Sequence, residues 1–223
     1  MGHINICKVF SIGIANTDEE KQAVYRLRYQ SYRHDDVIEP SHNKMFRDEY
    51  DDLPSSRIIY VEQSGKGVVG SLRFTLRTPT STKVTSSEYK SFPDILEPIA
   101  AKQSIVCANR LCIAPESTNK SQILAYLLAA KIFGSDYIEA DYAIAATTTN
   151  KLKFYKHLMG MKQISDTRKL PGLKCEYCLV GKDLKKSSAF ALNRLALMLG
   201  KNFLANQFVI QQELRKFMEL QPC

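Results

Sequence analysis

The sequence predicts one mixed α/β sheet with helices on both faces, followed by a helical extension at the C-terminal end. Three observations carry that expectation. A Thr-x-x-Glu capping box at Thr17–Glu20 opens an amphipathic stretch, two β-rich runs flank Ser64-Gly-Lys-Gly67, and the second half twice joins a β-like run to a helix-like one. The chain has 223 residues, enough to bury a sizeable core, and its make-up of 44% hydrophobic and 24% charged residues is ordinary. The expected division is residues 1–185 for the α/β domain and 186–223 for the extension.

Ile4 to Ala15 is rich in β-branched residues and is predicted as a strand. The capping box then starts a helix running to about Arg33, on which Val24, Arg28 and Tyr32, spaced four apart, share a face. Residues 34–56 are polar, contain Pro40 and Pro54, and read as a long loop, a kind that is usually functional or mobile. Two strands, Arg57 to Gln63 and Val68 to Thr78, make a hairpin. A short helix within 86–103, interrupted near Pro98, precedes a strand from Ser104 to Ala114 that Pro115 ends. Ser121 to Phe133 is apolar on nearly every face and predicts a buried helix. Tyr137 to Thr149 reads as a strand, Asn150 to Met159 as a short helix, and Gln163 to Gly181 as one or two closing strands. Residues 186–220 form one or two amphipathic helices divided near Gly200.

Charge is unevenly spread. Residues 150–223 hold 14 Lys and Arg against 5 Asp and Glu, a net of +9, while residues 1–149 hold 17 against 18. The overall +8 therefore resides in the C-terminal third, which suits either an acidic partner or a merely solvated basic surface. With no helix-turn-helix pattern and no basic stripe interleaved with aromatics, no nucleic acid is expected. The apolar run from Ala189 to Gly200 is broken by Asn193 and Arg194 and is too short for a transmembrane segment. Lacking a signal-like start as well, the chain is expected in the cytoplasm. Of the six cysteines, Cys175 and Cys178 make a lone C-x-x-C whose members would point to opposite faces of a strand, so reduced thiols are expected rather than a metal.

Four short segments put ionisable residues beside core residues: Arg26–Tyr32, Asp48–Asp52, Val68–Phe74 and Asn109–Ile113. If buried, Arg28, Arg73 and Arg110 need carboxylates, because an unpaired charge in the interior costs several kcal/mol. Asp48 and Asp51 are the natural partners, and pairing would fold the long loop over the helix and strands. A spare guanidinium fork could also grip a substrate carboxylate. A scaffold of ion pairs and a direct role in binding both fit these residues.

Asn150-Lys-Leu-Lys-Phe-Tyr155, followed by Gly160-Met161, resembles the "N…Y…G-hydrophobic" element of the GNAT superfamily of N-acetyltransferases. With the four segments ahead of it, residues 20–160 resemble the acyl-homoserine-lactone synthases and, more closely, the N-acyl amino acid synthases and exosortase-associated acyltransferases. The resemblance implies a GNAT-like mixed sheet flanked by helices. It assigns Tyr155 to protonating the departing thiolate and Asn150 to the pantetheine arm. Arg28 and Tyr32 match the Arg and aromatic of the first helix, Asp48 and Asp51 the acidic pair of the loop, and Arg73 the Arg after the hairpin glycine. Arg110 matches the Arg of the E-x-x-R strand.

Two departures stand out. The Glu of that motif is Cys107 here, which leaves deprotonation of the amine to Asp51, to Glu116, to water or to a thiolate. The homoserine-lactone synthases also carry a Trp after the first helix, and this chain has none. The junction Pro115–Ser121, where the superfamily grips coenzyme A diphosphate with a Gly-containing loop, has no Gly. Ser117, Thr118 and Ser121 could simply cap the helix, while Lys120 and Ser121 retain some attraction for anions.

The expected activity is transfer of a long-chain fatty acyl group to the α-amine of an amino acid. The donor would be an acyl-phosphopantetheine thioester, on acyl carrier protein or coenzyme A; no other cofactor and no metal are expected. Tyr155, Asp51 and Arg110 are the catalytic candidates. Arg28, Tyr32, Asp48, Arg73 and Cys107 are candidates for substrate binding, and Asn150, Lys120 and Ser121 for the donor arm. In the tail, Leu192, Leu195, Leu199 and Phe203 suit core packing or a wall for the acyl chain. Alternative readings are an acyl-homoserine-lactone synthase, a conventional acetyltransferase using acetyl-coenzyme A, and a non-catalytic basic binding module.

Overall fold

The capping box forms, and it fixes where the chain enters its first helix. Thr17 Oγ1 accepts from the Glu20 N–H at 3.3 Å, and Glu20 Oε2 accepts from the N–H groups of Thr17 at 3.0 Å and Asn16 at 2.8 Å. Helix α1 spans Asp18–His34, with acidic residues in its first turn and Arg33 and His34 in its last, the order its dipole favours. The computed structural model describes residues 4–5, 9–81, 84–137 and 140–184.

The strands are β1 Ile4–Asn5, β2 Phe10–Ile14, β3 Ser56–Gln63, β4 Gly67–Arg77, β5 Ile105–Ile113, β6 Tyr142–Thr147, β7 Lys162–Gln163, β8 Arg168–Lys169 and β9 Glu176–Asp183. They lie in the order β1-β2-β3-β4-β5-β6-β9-β7, with β8 paired to β9. Among the described residues every pairing is antiparallel except β5–β6. The remaining helices are α2 Ser87–Ser91, α3 Pro93–Ala100, α4 Lys120–Tyr137 and α5 Leu152–Met159, the last entered through a 3₁₀ turn at Thr149–Lys151.

Strand alternation gives the two faces different characters. On one face Ile59, Val61, Leu72, Phe74 and Val106 join Ile123 and Leu127 of α4 in the largest apolar cluster, against which Phe154 and Tyr155 of α5 also pack. On the other, Ile58 and Tyr60 meet Val24 and Tyr25 of α1, and Ile105 and Cys107 meet Tyr89, Phe92 and Leu96 of α2 and α3. The cross-strand pairs Arg73↔Asn109 and Thr75↔Cys107 belong to this second face. Polar groups are thus buried on the side that α1, α2 and the 35–55 loop cover.

Within the described residues the expected elements are present, with shifts that have local causes. The predicted first strand is two pieces that pair with each other antiparallel, Ile4 opposite Ile12. The helix of 86–103 breaks at Phe92, not at Pro98: Pro93 sits at the first position of α3, where a missing N–H costs nothing, and Pro98 is accommodated inside it. Helix α4 runs on to Tyr137, so the following strand begins at Tyr142. The helical extension of 186–220 lies outside the described residues. Among those described, no helix is long and apolar enough to cross a membrane, no cluster of ligating side chains suits a metal, and Cys107, Cys112, Cys175 and Cys178 are not in disulfides.

Gly70 marks the tightest helix–sheet approach. A Cβ there would meet Ile123 Cγ2 at 2.4 Å and Leu127 Cδ1 at 3.2 Å. Gly70→Ala should therefore push α4 off the sheet and cost about 1–3 kcal/mol, read as a lower melting temperature. An unchanged melting curve would show that α4 is not seated against β4.

Candidate functional site

Two carboxylates from the long loop hold three arginines from three different elements. Arg28 of α1 donates to Asp51 Oδ1 at 2.8 Å, and Arg73 of β4 donates to the same oxygen at 3.0 Å. The side chains of Arg28, Arg73 and Asp51 are all fully buried. Arg73 also pairs with both oxygens of Asp48, 3.2 Å from Oδ2, and Arg110 of β5 donates Nε to Asp48 Oδ2 at 3.0 Å. Backbone groups close the loop on itself: the Asp48 N–H donates to Asp51 Oδ2 at 3.0 Å, and the Tyr50 N–H to Asp48 Oδ1 at 3.0 Å.

Burial alone would raise the Asp48 carboxyl. The Arg110 charge, with the hydrogen bond and charge of Arg73, outweighs it and holds Asp48 well below the usual carboxylate range. For Arg110 burial acts downward, but the neighbouring Tyr32, Asp48 and Glu88 prevail and raise it. Aromatic faces line the cluster: the Arg110 guanidinium lies 5.0 Å from the Phe46 ring centre, Arg73 5.8 Å from Tyr50, and Phe46 meets Tyr32 at 5.2 Å. Tyr32 itself is raised by desolvation.

Arg110 reaches this cluster because β5 bulges. The β4–β5 register slips between Ser71↔Cys112 and Arg73↔Asn109, so that Arg110 and Leu111 share the place opposite Leu72. Regular alternation would send Arg110 to the face opposite Asn109. Instead it adopts φ = 56°, a left-handed conformation that costs a non-glycine residue about 1–2 kcal/mol, and turns its side chain to the polar face. The bulge is how the strand aims it.

Beyond the ion pairs runs a second, less saturated network. Arg73 Nε donates to Asn109 Oδ1 at 2.8 Å, and Asn109 Nδ2 faces Glu88 Oε2 at 3.1 Å and Cys107 Sγ at 3.6 Å. Glu88 is 2% exposed and comes from α2. Sequence reading missed it, because the short helix expected within 86–103 shows no periodicity that marks Glu88 as buried. Only the adjoining Tyr89 and Phe92, both buried, signal that this short helix is packed down.

The one parallel ladder is short. β5 pairs with β6 only from Ile105↔Tyr142 to Cys107↔Ile144. Past that point β5 continues through Ile113 against β4, and β6 through Thr147 against β9. Half the backbone groups of Ala108–Ile113 thus face away from β4 toward a wedge between parted strands. Such groups need a hydrogen-bonding partner from outside the sheet. Cys107 stands at its apex and is fully buried.

Tyr155 sits near that apex. Desolvation, with the Cys107 sulfur pushing the same way, raises its phenol to about 12. Its hydroxyl has no hydrogen-bond partner among the described residues. Asn150 is exposed in the 3₁₀ turn and accepts from Thr148 Oγ1 at 2.5 Å, while Lys120 and Ser121 are exposed at the start of α4. Glu116 is exposed at the end of β5. Of the catalytic candidates, Asp51 is enclosed, with both oxygens engaged. That geometry makes it a tie for the loop.

A family model for the N-acyl amino acid synthase FeeM matches residues 23–183. No curated protein matches by sequence. Among solved structures, FeeM, an N-acyl amino acid synthase from uncultured soil microbes, aligns with a TM-score of 0.67 at 13% identity over 83% of this chain and 96% of that one. The acyl-homoserine-lactone synthase LasI aligns with a TM-score of 0.57 at 20% identity over 78% and 89%. A coenzyme A-dependent acyl-homoserine-lactone synthase, BjaI, solved with SAM and isopentyl-CoA, gives 0.57 at 17% over 80% and 81%.

Asp51→Asn should leave Arg28 and Arg73 short of countercharge and destabilise the chain by about 3–5 kcal/mol in urea. Asp52→Asn, at the half-exposed Lys21–Asp52 pair, should leave the midpoint in place. Because the folded Asp48 value lies below the unfolded one, its stabilisation is complete above about pH 4 and drains away as pH falls further. Asp48→Asn should flatten that acid slope in pH-dependent unfolding; an unaltered slope would place the linkage elsewhere.

Proposed function

The chain belongs to the family of the N-acyl amino acid synthase FeeM and is an N-acyltransferase, and we propose that it moves a long-chain acyl group from acyl carrier protein to the α-amine of an amino acid. The observation that carries this reading is the wedge between β5 and β6 with Tyr155 beside its apex. A pantetheine arm is a chain of amides. Laid along Ala108–Ile113 it can supply the hydrogen bonds that β6 no longer makes.

In that pose the thioester carbonyl lies at the apex. Backbone N–H groups of β5 that face the wedge would bind the oxyanion as the amine attacks. The C–N bond forms, the tetrahedral intermediate collapses, and the C–S bond breaks toward Tyr155. With its phenol near 12, Tyr155 stays protonated at neutral pH and is a donor, never a base. A thiol ionises near 8.5, so complete transfer from such a phenol to a thiolate runs uphill by roughly 5 kcal/mol. Tyr155 thus acts chiefly by hydrogen-bonding the sulfur as charge builds there, and the proton that ends on the thiol is the one the amine gives up.

The acceptor side is the buried polar face. Asp48 and Asp51 hold Arg73 and Arg110 in place, and Arg28 keeps Nε and Nη2 without a partner among the described residues. Those two donors are matched to a carboxylate. Two features favour a carrier protein over free coenzyme A. The 115–121 junction has no glycine to cradle a diphosphate, and the +9 charge of residues 150–223 suits an acidic protein.

The test is to mix the purified chain with acyl-carrier-protein and acyl-coenzyme A thioesters and a panel of amino acids plus S-adenosylmethionine, then read products by mass spectrometry. Acylated amino acid made faster from the carrier thioester is the expected result. A lactone product, or preference for coenzyme A, would redirect the reading toward the LasI-like or BjaI-like activity. Tyr155→Phe should lower kcat by about 100-fold with donor KM and melting temperature unchanged. An undiminished kcat would remove Tyr155 from the reaction.

A further inference from the structure

We infer that Glu88 is the general base: it receives the acceptor as an ammonium ion and takes its proton before the attack on the thioester. The inference rests on the N-acyltransferase reading and adds the residue that starts the reaction. Three observations carry it.

First, Glu88 is the carboxylate of the site that no cation saturates. Asp48 and Asp51 spend their oxygens on Arg28, Arg73 and Arg110, and Glu97 takes both arms of Arg77 at 2.7 and 2.6 Å. Glu88 Oε2 receives only the neutral Asn109 amide at 3.1 Å and the Ser87 hydroxyl at 3.3 Å. Its Oε1 has no hydrogen-bond partner among the described residues. An interior carboxylate held that way is costly unless a cation joins it, and an ammonium substrate is such a cation.

Second, Glu88 is in the right place. Asn109 Nδ2 lies between it and Cys107 Sγ, and Cys107 is the last β5 residue paired to β6, at the apex of the wedge. Glu88 approaches from α2, whereas Tyr155 comes from α5 and packs against the apolar cluster that includes α4. Amine and thiol therefore have separate approaches to one carbonyl.

Third, the surroundings hold buried polar groups with unused hydrogen-bonding capacity. Thr75, cross-strand neighbour of Cys107, and Tyr89, next to Glu88 on α2, have buried hydroxyls without partners among the described residues, as do Thr85 and Ser86 just ahead of α2. Such orphans suit a small hydrophilic acceptor better than an apolar one. Charged and titratable groups facing Glu88 are Arg110 and Cys107 of β5, Arg73 of β4 through Asn109, Tyr50 of the loop and Tyr89 of its own helix.

The step balances without a co-reactant. The ammonium gives one proton to Glu88, which passes it to solvent; the amine attacks, the C–N bond forms and the C–S bond breaks. The second proton of the nitrogen ends on the thiol.

The decisive experiment uses the full chain and Glu88→Gln, which keeps the Asn109 contact, with two acceptors: an α-amino acid and hydroxylamine, whose nitrogen is uncharged at neutral pH. Glu88→Gln should slow amino-acid acylation by about 10²–10⁴-fold, leave donor KM unchanged and leave hydroxylamine acylation near wild type. Its residual rate should climb about tenfold per pH unit, tracking free amine, where the wild type levels off. Equal losses with both acceptors, or no loss, overturn the assignment. Should Glu88→Gln unfold, Glu88→Asp keeps a carboxylate and must keep the wild-type plateau at a lower rate; a rate tracking free amine there also overturns it. A wild-type chain that acylates neither acceptor contradicts the proposed reaction, not the place of Glu88 in it.

Discussion

The exchange of charge between Asp48, Asp51 and the three arginines is the constraint on which the site's shape depends. Burying five charged groups is not a route to stability, since well-packed apolar residues often do as well or better. What such a network supplies is position. It pins residues 35–55 to α1, β4 and β5 at once, and it holds Arg110 against the strain of a left-handed backbone. Phe46 N–H, donating to the α1 carbonyl of Tyr25 at 3.0 Å, makes the same join from the backbone side. A loop that would otherwise carry no fixed geometry becomes a wall of the site.

That wall faces a sheet opened at one place. β5 pairs on both sides at its start and with β4 alone thereafter, so the same strand is laddered on both edges at Ile105 and on one edge beyond Cys107. The bulge at Arg110 and the end of the parallel ladder occur within three residues of each other on this strand. The unpaired edge of β5, Arg110 and the Asn109–Glu88 contact consequently share one short piece of backbone. Substitutions there should disturb several functions together, unlike changes on α4, which supports the sheet from the apolar face.

The sequence made plain whatever local chemistry decides. Thr17 and Glu20 announce a helix start on their own, the Gly65 and Gly67 positions take the positive φ that the hairpin needs, and Arg28, Arg73 and Arg110 had to find carboxylates if buried. The pairing with Asp48 and Asp51 followed from that demand. Tertiary placement was another matter. An Arg at φ = 56° leaves no mark in the sequence, since the left-handed place at such a bulge is usually taken by glycine. Glu88 lies in a five-residue helix too short for periodicity to reveal its buried face, and Asp51 looked available until both its oxygens proved engaged. Where a parallel ladder stops is set by the twist of two strands, which no spacing of residues records.

The most direct measurement is a crystal structure of the chain with a long-chain acyl-pantetheine thioether that cannot transfer its acyl group. We expect the pantetheine amides along Ala108–Ile113 in place of β6, the sulfur within hydrogen-bond reach of the Tyr155 hydroxyl, and the reacting carbon open toward Glu88. A wedge that stays empty while the analogue binds elsewhere would contradict the assignment of donor and acceptor sides on which the mechanism rests.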